Sequence, residues 1–201
     1  FEAISHDLRT PLSRQKVVAE LLEDPELSAM LVENVDEMEG LLASLQQFLR
    51  AQHLTAQAEL IDLTSLVRAA IEPFGESVSL RHQDELLVTT FVEPLRISLA
   101  VLLENALQYG RRAEIAFGRT EQGRWIILIE DDGPGLPEEH FQDVLDPFFR
   151  LDQARSRNTK GFGLGIPTAH RLMTRFNGGL SFGKSASGGL RVIVTVPTPR
   201  P

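Results

Sequence analysis

Between residues 27 and 49, seven apolar side chains (Leu27, Leu31, Val35, Met38, Leu42, Leu45 and Leu49) follow one another at intervals of four, four, three, four, three and four. Such intervals lie close to the coiled-coil period and place all seven on one stripe of a helix, which must meet another apolar stripe. The residues before them supply one: Ile4, Leu8, Leu12, Val18 and Leu22 form an approximate helical face broken by Gln15, and "EDPE" at 23–26 ends it. Two helices joined by a short turn make an antiparallel hairpin with one sticky face each. About fifty residues in two helices bury little core alone. The expectation for residues 1–54 is therefore a hairpin that pairs with a second copy into a four-helix bundle. Because the sequence opens inside this helical pattern, a truncated piece of a longer chain is also expected.

From residue 55 to 201 the periodicity changes. "VSLRHQDELLVTTFV", "AEIAFGR", "RWIILIE" and "LRVIVTV" read as strands, and "EPLRISLAVLLENALQYG" and "IPTAHRLMTRFN" as helices. The fold class is α+β, with an α/β sandwich of helices on a mixed sheet following the hairpin. Residues 136–165 form a long charged, glycine-containing connection, the kind that in compact domains is usually functional. A hydrophobic content of 42% is that of a folded chain, and no run of 18 apolar residues suggests a membrane span. With no cysteine, disulfides, thiolate zinc sites and cysteine nucleophiles are excluded; a reducing compartment, the cytoplasm, is expected. A net charge of −8 argues against nucleic acid as a ligand, since phosphate backbones are bound by neutralising them.

Three motifs carry chemistry. After "WIILIE", "DDGPG" sets Asp131 at a strand end with Gly133 and Gly135 just beyond: either a tight turn, or a carboxylate accepting a hydrogen bond from a ligand amine beside approachable backbone. "KGFGLGIPTAH" places Gly161, Gly163 and Gly165, with Leu164 between the last two, directly before a helix that has Pro167 in its first turn. Its G-x-G-x-G spacing and lack of a preceding strand are not those of a dinucleotide fingerprint. Free N–H groups at that helix start, with Lys160 at the edge, suit phosphate oxygens; the alternative is a flexible helix cap. On "VLLENALQYG", Asn105 has Val101 at i−4 and Gln108 at i+3 on the same face, and is either a metal-binding amide or merely an exposed polar residue.

Taken in order, "SHDLRTPL", "LLENALQYG", "EDDGPGL", "DPFFRLD" and "GFGLGI" resemble the phosphoacceptor, N, first glycine, F and second glycine boxes of the sensor histidine kinases of two-component systems, over essentially the whole chain. The resemblance implies a dimerisation and histidine-phosphotransfer hairpin followed by an ATP-binding domain of the gyrase, Hsp90, histidine kinase and MutL type, with ATP and Mg2+ as cofactors. It makes His6 the phosphoacceptor, Asn105 the magnesium ligand and Asp131 the partner of the adenine amino group. Tyr109 would line the adenine pocket, and Gly161, Gly163 and Gly165 would flank the phosphates at the hinge of an ATP lid. Phe148, Phe149 and Arg150 match the F box that packs the lid. Asp7 and Thr10 match the D-x-x-T pattern of kinases that also dephosphorylate their response regulator. Implied partners are a second copy of the chain and a response regulator receiver domain, in the cytoplasmic portion of a bacterial inner-membrane sensor. Val101 and Gln108 depart from the pattern, standing where many members carry a second Asn and a Lys or Arg.

The residues around His6 suit the role. At about 100° per residue, His6 lies about 160° around the helix from both Ile4 and Leu8, off the apolar stripe. Asp7 adjoins it, Arg9 at i+3 can bring positive charge, and Thr10 at i+4 shares its face. Pro11 lacks an N–H and crowds the Asp7 carbonyl, which should bend or loosen the helix there. The leading expectation is self-phosphorylation on His6 and transfer to a regulator aspartate. The alternative is a kinase-poor or phosphatase-biased scaffold. A different ATPase of the same superfamily is disfavoured by the phosphoacceptor segment.

Overall fold

A computed structural model describes residues 2–82, 84–151 and 161–199, and for residues 2–7 only the backbone. The hairpin is formed by α1 (Glu2–Glu20) and α2 (Pro25–His53). Asp24 caps α2 by accepting from the Glu26 and Leu27 amides, and Pro25 opens it, where its missing N–H costs nothing. The turn therefore falls where the sequence reading set it. Helix α1 runs through Pro11 without interruption. Hydrogen bonds from Arg9 Nη2 to Gln46 Oε1 (3.0 Å) and from Lys16 Nζ to Asp36 Oδ1 (2.7 Å) fix the antiparallel register. Of the seven seam residues only Val35 is buried within one chain; Leu27, Leu31 and Met38 stay 41%, 37% and 42% exposed. One copy of the hairpin leaves the seam unsatisfied.

The remainder is β1 (Ala58–Asp62), α3 (Leu63–Ile71), β2 (Val78–Leu80), β3 (Leu87–Phe91), α4 (Val92–Tyr109), β4 (Ala113–Arg119), β5 (Trp125–Asp131), α5 (Gly165–Arg175), β6 (Gly179–Lys184) and β7 (Leu190–Thr195). Five strands form one sheet in the order β2-β4-β5-β7-β6, with β2 parallel to β4 and the other pairs antiparallel, while β1 and β3 form a separate antiparallel ribbon. The alternation expected of a half-buried sheet is plain: Ile115, Ile127, Ile129, Val192 and Val194 are buried in the same cluster as Leu99, Leu102 and Leu103 of α4 and Leu172 and Met173 of α5. On the opposite face Glu114 pairs with Arg81 and Glu130 with Arg191. These arginines offset the repulsion of two glutamates that stand directly opposite each other on β4 and β5.

One expectation is corrected. "VSLRHQDELLVTTFV" is not a single strand: residues 78–80 join the large sheet and residues 87–91 the ribbon. The Asp62 carboxylate explains the division, because it accepts from Thr64 N and Ser65 N at the start of α3 and from Leu86 N, pinning the chain just before β3. A hydrogen bond from the Ser65 hydroxyl, together with those from the backbone amides, holds its pKa below the ordinary value. The elements β1, α3 and β6 were not anticipated. Among the described residues no helix is long and apolar enough to cross a membrane.

Candidate active site

A cleft of about 1040 Å3 opens between α4, the end of β5, the 134–151 connection, the glycine-rich start of α5 and one side of α2. Strand β5 delivers Asp131 to its floor with only 4% exposure. The Asp131 Oδ1 accepts from Gly133 N (2.9 Å) and Leu190 N (3.0 Å), so Oδ2 remains as an acceptor in the cleft. Its backbone carbonyl accepts from both Ser185 Oγ and Ser187 Oγ at 2.8 Å. Close approach explains the neighbouring glycine: a Cβ on Gly189 would lie 2.3 Å from the Asp131 carbonyl oxygen. Burial raises the Asp131 pKa, opposed by its two backbone hydrogen bonds. The second aspartate is structural. Asp132 Oδ1 accepts from Arg111 N and Arg112 N, which turns the chain from α4 into β4 and lowers its pKa.

Helix α4 brings Asn105, Gln108 and Tyr109 to the cleft, all half-buried. Gln108 Nε2 is buried with no hydrogen-bond partner among the described residues, and a Cβ on Gly161 would lie 2.2 Å from it. A buried amide donor without an acceptor is costly, and an anionic ligand oxygen would relieve it. Val101, although it also lines the cleft, is only 5% exposed and belongs to the core. We therefore expect Val101→Asn to cost on the order of 1–3 kcal/mol of stability by burying an unpaired amide. Melting temperature measured beside ligand affinity at several magnesium concentrations checks this. A rise in magnesium-dependent affinity would show instead that the amide reaches a ligand-borne ion.

Helix α5 begins at Gly165 with no side-chain cap, and Pro167 contributes no N–H, so the first-turn amides are left for a ligand. Leu164, at the cap position, is buried and its carbonyl accepts from Thr168 Oγ1 at 2.7 Å, which anchors the helix start. Gly163 (φ +68°) accepts from Phe148 N at 2.9 Å, and a Cβ there would lie 2.6 Å from the Phe149 carbonyl oxygen. The Phe148–Arg150 turn and the glycine-rich turn thus form one joint. Phe149 and Arg150 line the cleft, and the Phe149 ring rests on His140, whose Nδ1 lies 2.9 Å from Asp143 Oδ2. Gly135 (φ +75°) supports the opposite rim against Gly188.

The structure thus brings Asn105, Gln108, Tyr109, Asp131, Gly135, Arg150, Gly161, Gly163, Leu164 and Gly165 to one cleft, with Gly133 supporting Asp131 from behind. Lys160 and the side chains of His6 and Asp7 lie outside the described residues. Thr10 is exposed on α1, and Arg9, expected near the histidine's phosphate, is instead bonded to Gln46. Sequence reading missed Ser185, Ser187 and the Leu190 amide behind Asp131, for which the "SASGGL" stretch before β7 was the available signal. It also missed Gly40, Ser44 and Gln47 of α2, which line the cleft and carried no local signal at all.

Two family models match this chain. Residues 1–57 match the family model for the His Kinase A (phospho-acceptor) domain, and residues 92–200 that for the histidine kinase-, DNA gyrase B- and HSP90-like ATPase. Sensor histidine kinase GtrS of Pseudomonas aeruginosa is 33% identical over 98% of this chain and 41% of its own length. Sensor histidine kinase YkoH of Bacillus subtilis is 30% identical over 84% of this chain and 40% of its own. The chain therefore spans about two fifths of these relatives. Among solved structures, Acinetobacter baumannii histidine kinase AdeS superposes with a TM-score of 0.66 at 21% identity, covering 96% of this chain and 98% of that one. Full-length ShkA in complex with AMPPNP gives 0.70 at 20% identity, over 98% and 45%.

Proposed function

Since this chain belongs to the sensor histidine kinases, we propose that it binds ATP in the cleft, phosphorylates itself on His6 and passes the phosphoryl group to an aspartate of a response regulator. The observation that carries this reading is the buried Asp131 carboxylate, fixed through Oδ1, at the floor of a cleft whose other end is the uncapped start of α5. The first suits an amine on a flat base and the second suits phosphates. Incubation with γ-labelled ATP and magnesium is the test, the expected product being a label that is acid-labile and base-stable.

In this reading Asp131 Oδ2 accepts from the adenine amino group beside Tyr109, and the first-turn amides of α5 with Gly161 and Gly163 cradle the phosphates. Gln108 Nε2 donates to a phosphate oxygen. The donor set fits a magnesium ion carried on the phosphates: among the described residues no group of three or more acidic, His or Cys side chains could hold a metal, whereas Asn105 offers one amide oxygen in the cleft. Magnesium commonly takes one or two protein ligands and completes its shell with phosphate and water. When bound it would neutralise charge developing on the phosphates. The protein's part is then positional. A neutral His6 nitrogen forms the N–P bond while the bond from the γ-phosphorus to the ADP oxygen breaks, and Asp7 holds the opposite ring N–H as the imidazole becomes positive. Lys160 at the loop edge would add charge to the phosphate site.

The unsatisfied seam on α2 supports a homodimer, in which Leu27, Leu31 and Met38 meet a second hairpin. This chain is then the cytoplasmic portion of a membrane sensor that acts on a receiver domain. Thr10, exposed on α1 one turn from His6, would orient the water that hydrolyses the regulator's acyl phosphate. We expect Thr10→Ala to spare self-phosphorylation and slow regulator dephosphorylation about tenfold or more, in the range for loss of one positioning group. Parallel loss of both activities in a time course would assign Thr10 to helix support. A second reading, a kinase-poor or phosphatase-biased scaffold, is favoured by the apolar Val101 and the uncharged Gln108 at the phosphate end. It predicts regulator dephosphorylation with little labelling of His6.

A further inference from the structure

Gly40, Ser44 and Gln47 stand at i, i+4 and i+7 on α2, one stripe of the helix, and all three line the cleft. The same face continues to Phe48 and Ala51, where α5 is docked: the Arg171 guanidinium lies 4.4 Å from the centre of the Phe48 ring, and Arg175 Nη1 donates to the Ala51 carbonyl at 3.1 Å. At the other end of the stripe the Phe162 ring sits against Gly40, where a Cβ would lie 3.2 Å from it. Phe162 lies between Gly161 and Gly163. The hairpin therefore touches the nucleotide cleft at its glycine-rich end.

That orientation assigns the ligand's ends. With the base on Asp131 and the phosphate chain running toward Gly161–Gly165, the last phosphate is the group nearest α2. Ser44 and Gln47 are half-buried there, and neither side chain makes a hydrogen bond among the described residues. Their hydroxyl and amide are neutral donors facing a cleft that expects an anion. We propose that Ser44 and Gln47 donate to the terminal phosphate of ATP, so that the hairpin which carries His6 is itself the wall that tells ATP from ADP. This rests on the nucleotide reading of the cleft. It adds a part of the site that lies outside the nucleotide fold, and it makes triphosphate binding favour the docked arrangement, because only the triphosphate is long enough to reach α2.

The test is equilibrium binding of a non-hydrolysable ATP analogue and of ADP, each with magnesium, to the 201-residue chain and two variants. In Ser44→Ala/Gln47→Ala, affinity for the triphosphate should fall about 3- to 10-fold, as expected for losing one or two net hydrogen bonds, while ADP affinity holds. Gly40→Leu, which drives a side chain into the Phe162 ring and parts the hairpin from the loop, should lose the same preference; its helix content by circular dichroism reports folding. Equal loss of ATP and ADP binding in the double variant, or an unchanged ratio in both variants, overturns the proposal and leaves the nucleotide site standing. Failure of the unsubstituted chain to bind either nucleotide overturns both.

Discussion

His6→Ala is expected to abolish labelling from γ-labelled ATP while ATP binding and the melting temperature of the nucleotide-binding part are unchanged. The reason is positional. Arg9 faces Gln46 and Lys16 faces Asp36 across the hairpin, so position 6, about 4.5 Å further along α1 at 1.5 Å per residue, stands near the level of Phe48 and Leu49 of α2. The nucleotide-binding part touches α2 from Gly40 to Ala51, which brackets that level. By its spacing in the sequence His6 lies off the apolar stripe of α1, so the change is expected to remove no core side chain. The sequence holds five histidines, and the competitor that matters is His140, which lines the cleft itself. Its Nδ1 is engaged by Asp143 and its ring packs on Phe149, so it supports the Phe148–Arg150 turn rather than standing ready to accept a phosphoryl group. Residual acid-labile label in His6→Ala that disappears in His6→Ala/His140→Ala would overturn the assignment of His6 as sole acceptor.

Asp131→Asn should separate binding from stability. An amide oxygen can still accept from Gly133 N and Leu190 N, but the remaining group becomes an NH2 facing the adenine amine, donor against donor. Loss of a charged acceptor in a buried site corresponds to about 1.5–3 kcal/mol, or roughly 10- to 100-fold in ATP affinity. Stability should move the other way. Burial raises the pKa of Asp131 above its unfolded value, so the fold favours the neutral carboxyl. Its contribution is fully present below the unfolded pKa and is lost as pH rises through the folded pKa. Asn carries no such dependence. The variant should therefore match the wild type near pH 3 and exceed it in melting temperature at pH 7 by an amount that grows across that window. A variant less stable than wild type at pH 7 would show that the ionised carboxylate, with its two backbone donors, is a net stabilising element.

Several features were legible because they depend on neighbours in sequence. The hairpin followed from a seven-residue apolar seam, and its turn from Asp24, which accepts from amides two and three residues on, and Pro25, which opens the helix without an N–H. The strands 113–119, 125–131 and 190–195 and the helices 92–109 and 165–175 are long and strongly patterned. The strand at 58–62, the helix at 63–71 and the strand at 179–184 escaped notice. The ribbon strand has Leu60 68% exposed, and the edge strand contains Gly179 and Gly183, so neither shows the alternation that marks a half-buried strand. The division of residues 78–91 into two sheets was also invisible, because Asp62, some 24 residues earlier, is what holds Leu86.

Which residues could do chemistry follows from residue type and spacing: an acidic strand end, a glycine-rich helix start, an amide on a helix and a histidine off an apolar stripe. How they are held depends on packing between distant segments. Asp131 is buried because strand β7 enters beside it with Gly189 and Leu190, close to sixty residues later, and two serines fix its carbonyl from the same turn. Gly161 is needed for the space it leaves to Gln108, fifty-odd residues away, and Gly163 for the backbone of Phe148 and Phe149. The contribution of Gly40, Ser44 and Gln47 was beyond sequence reading altogether. On a helix, polar and small residues at i, i+4 and i+7 look like an ordinary solvated face until a second part of the chain is packed against them.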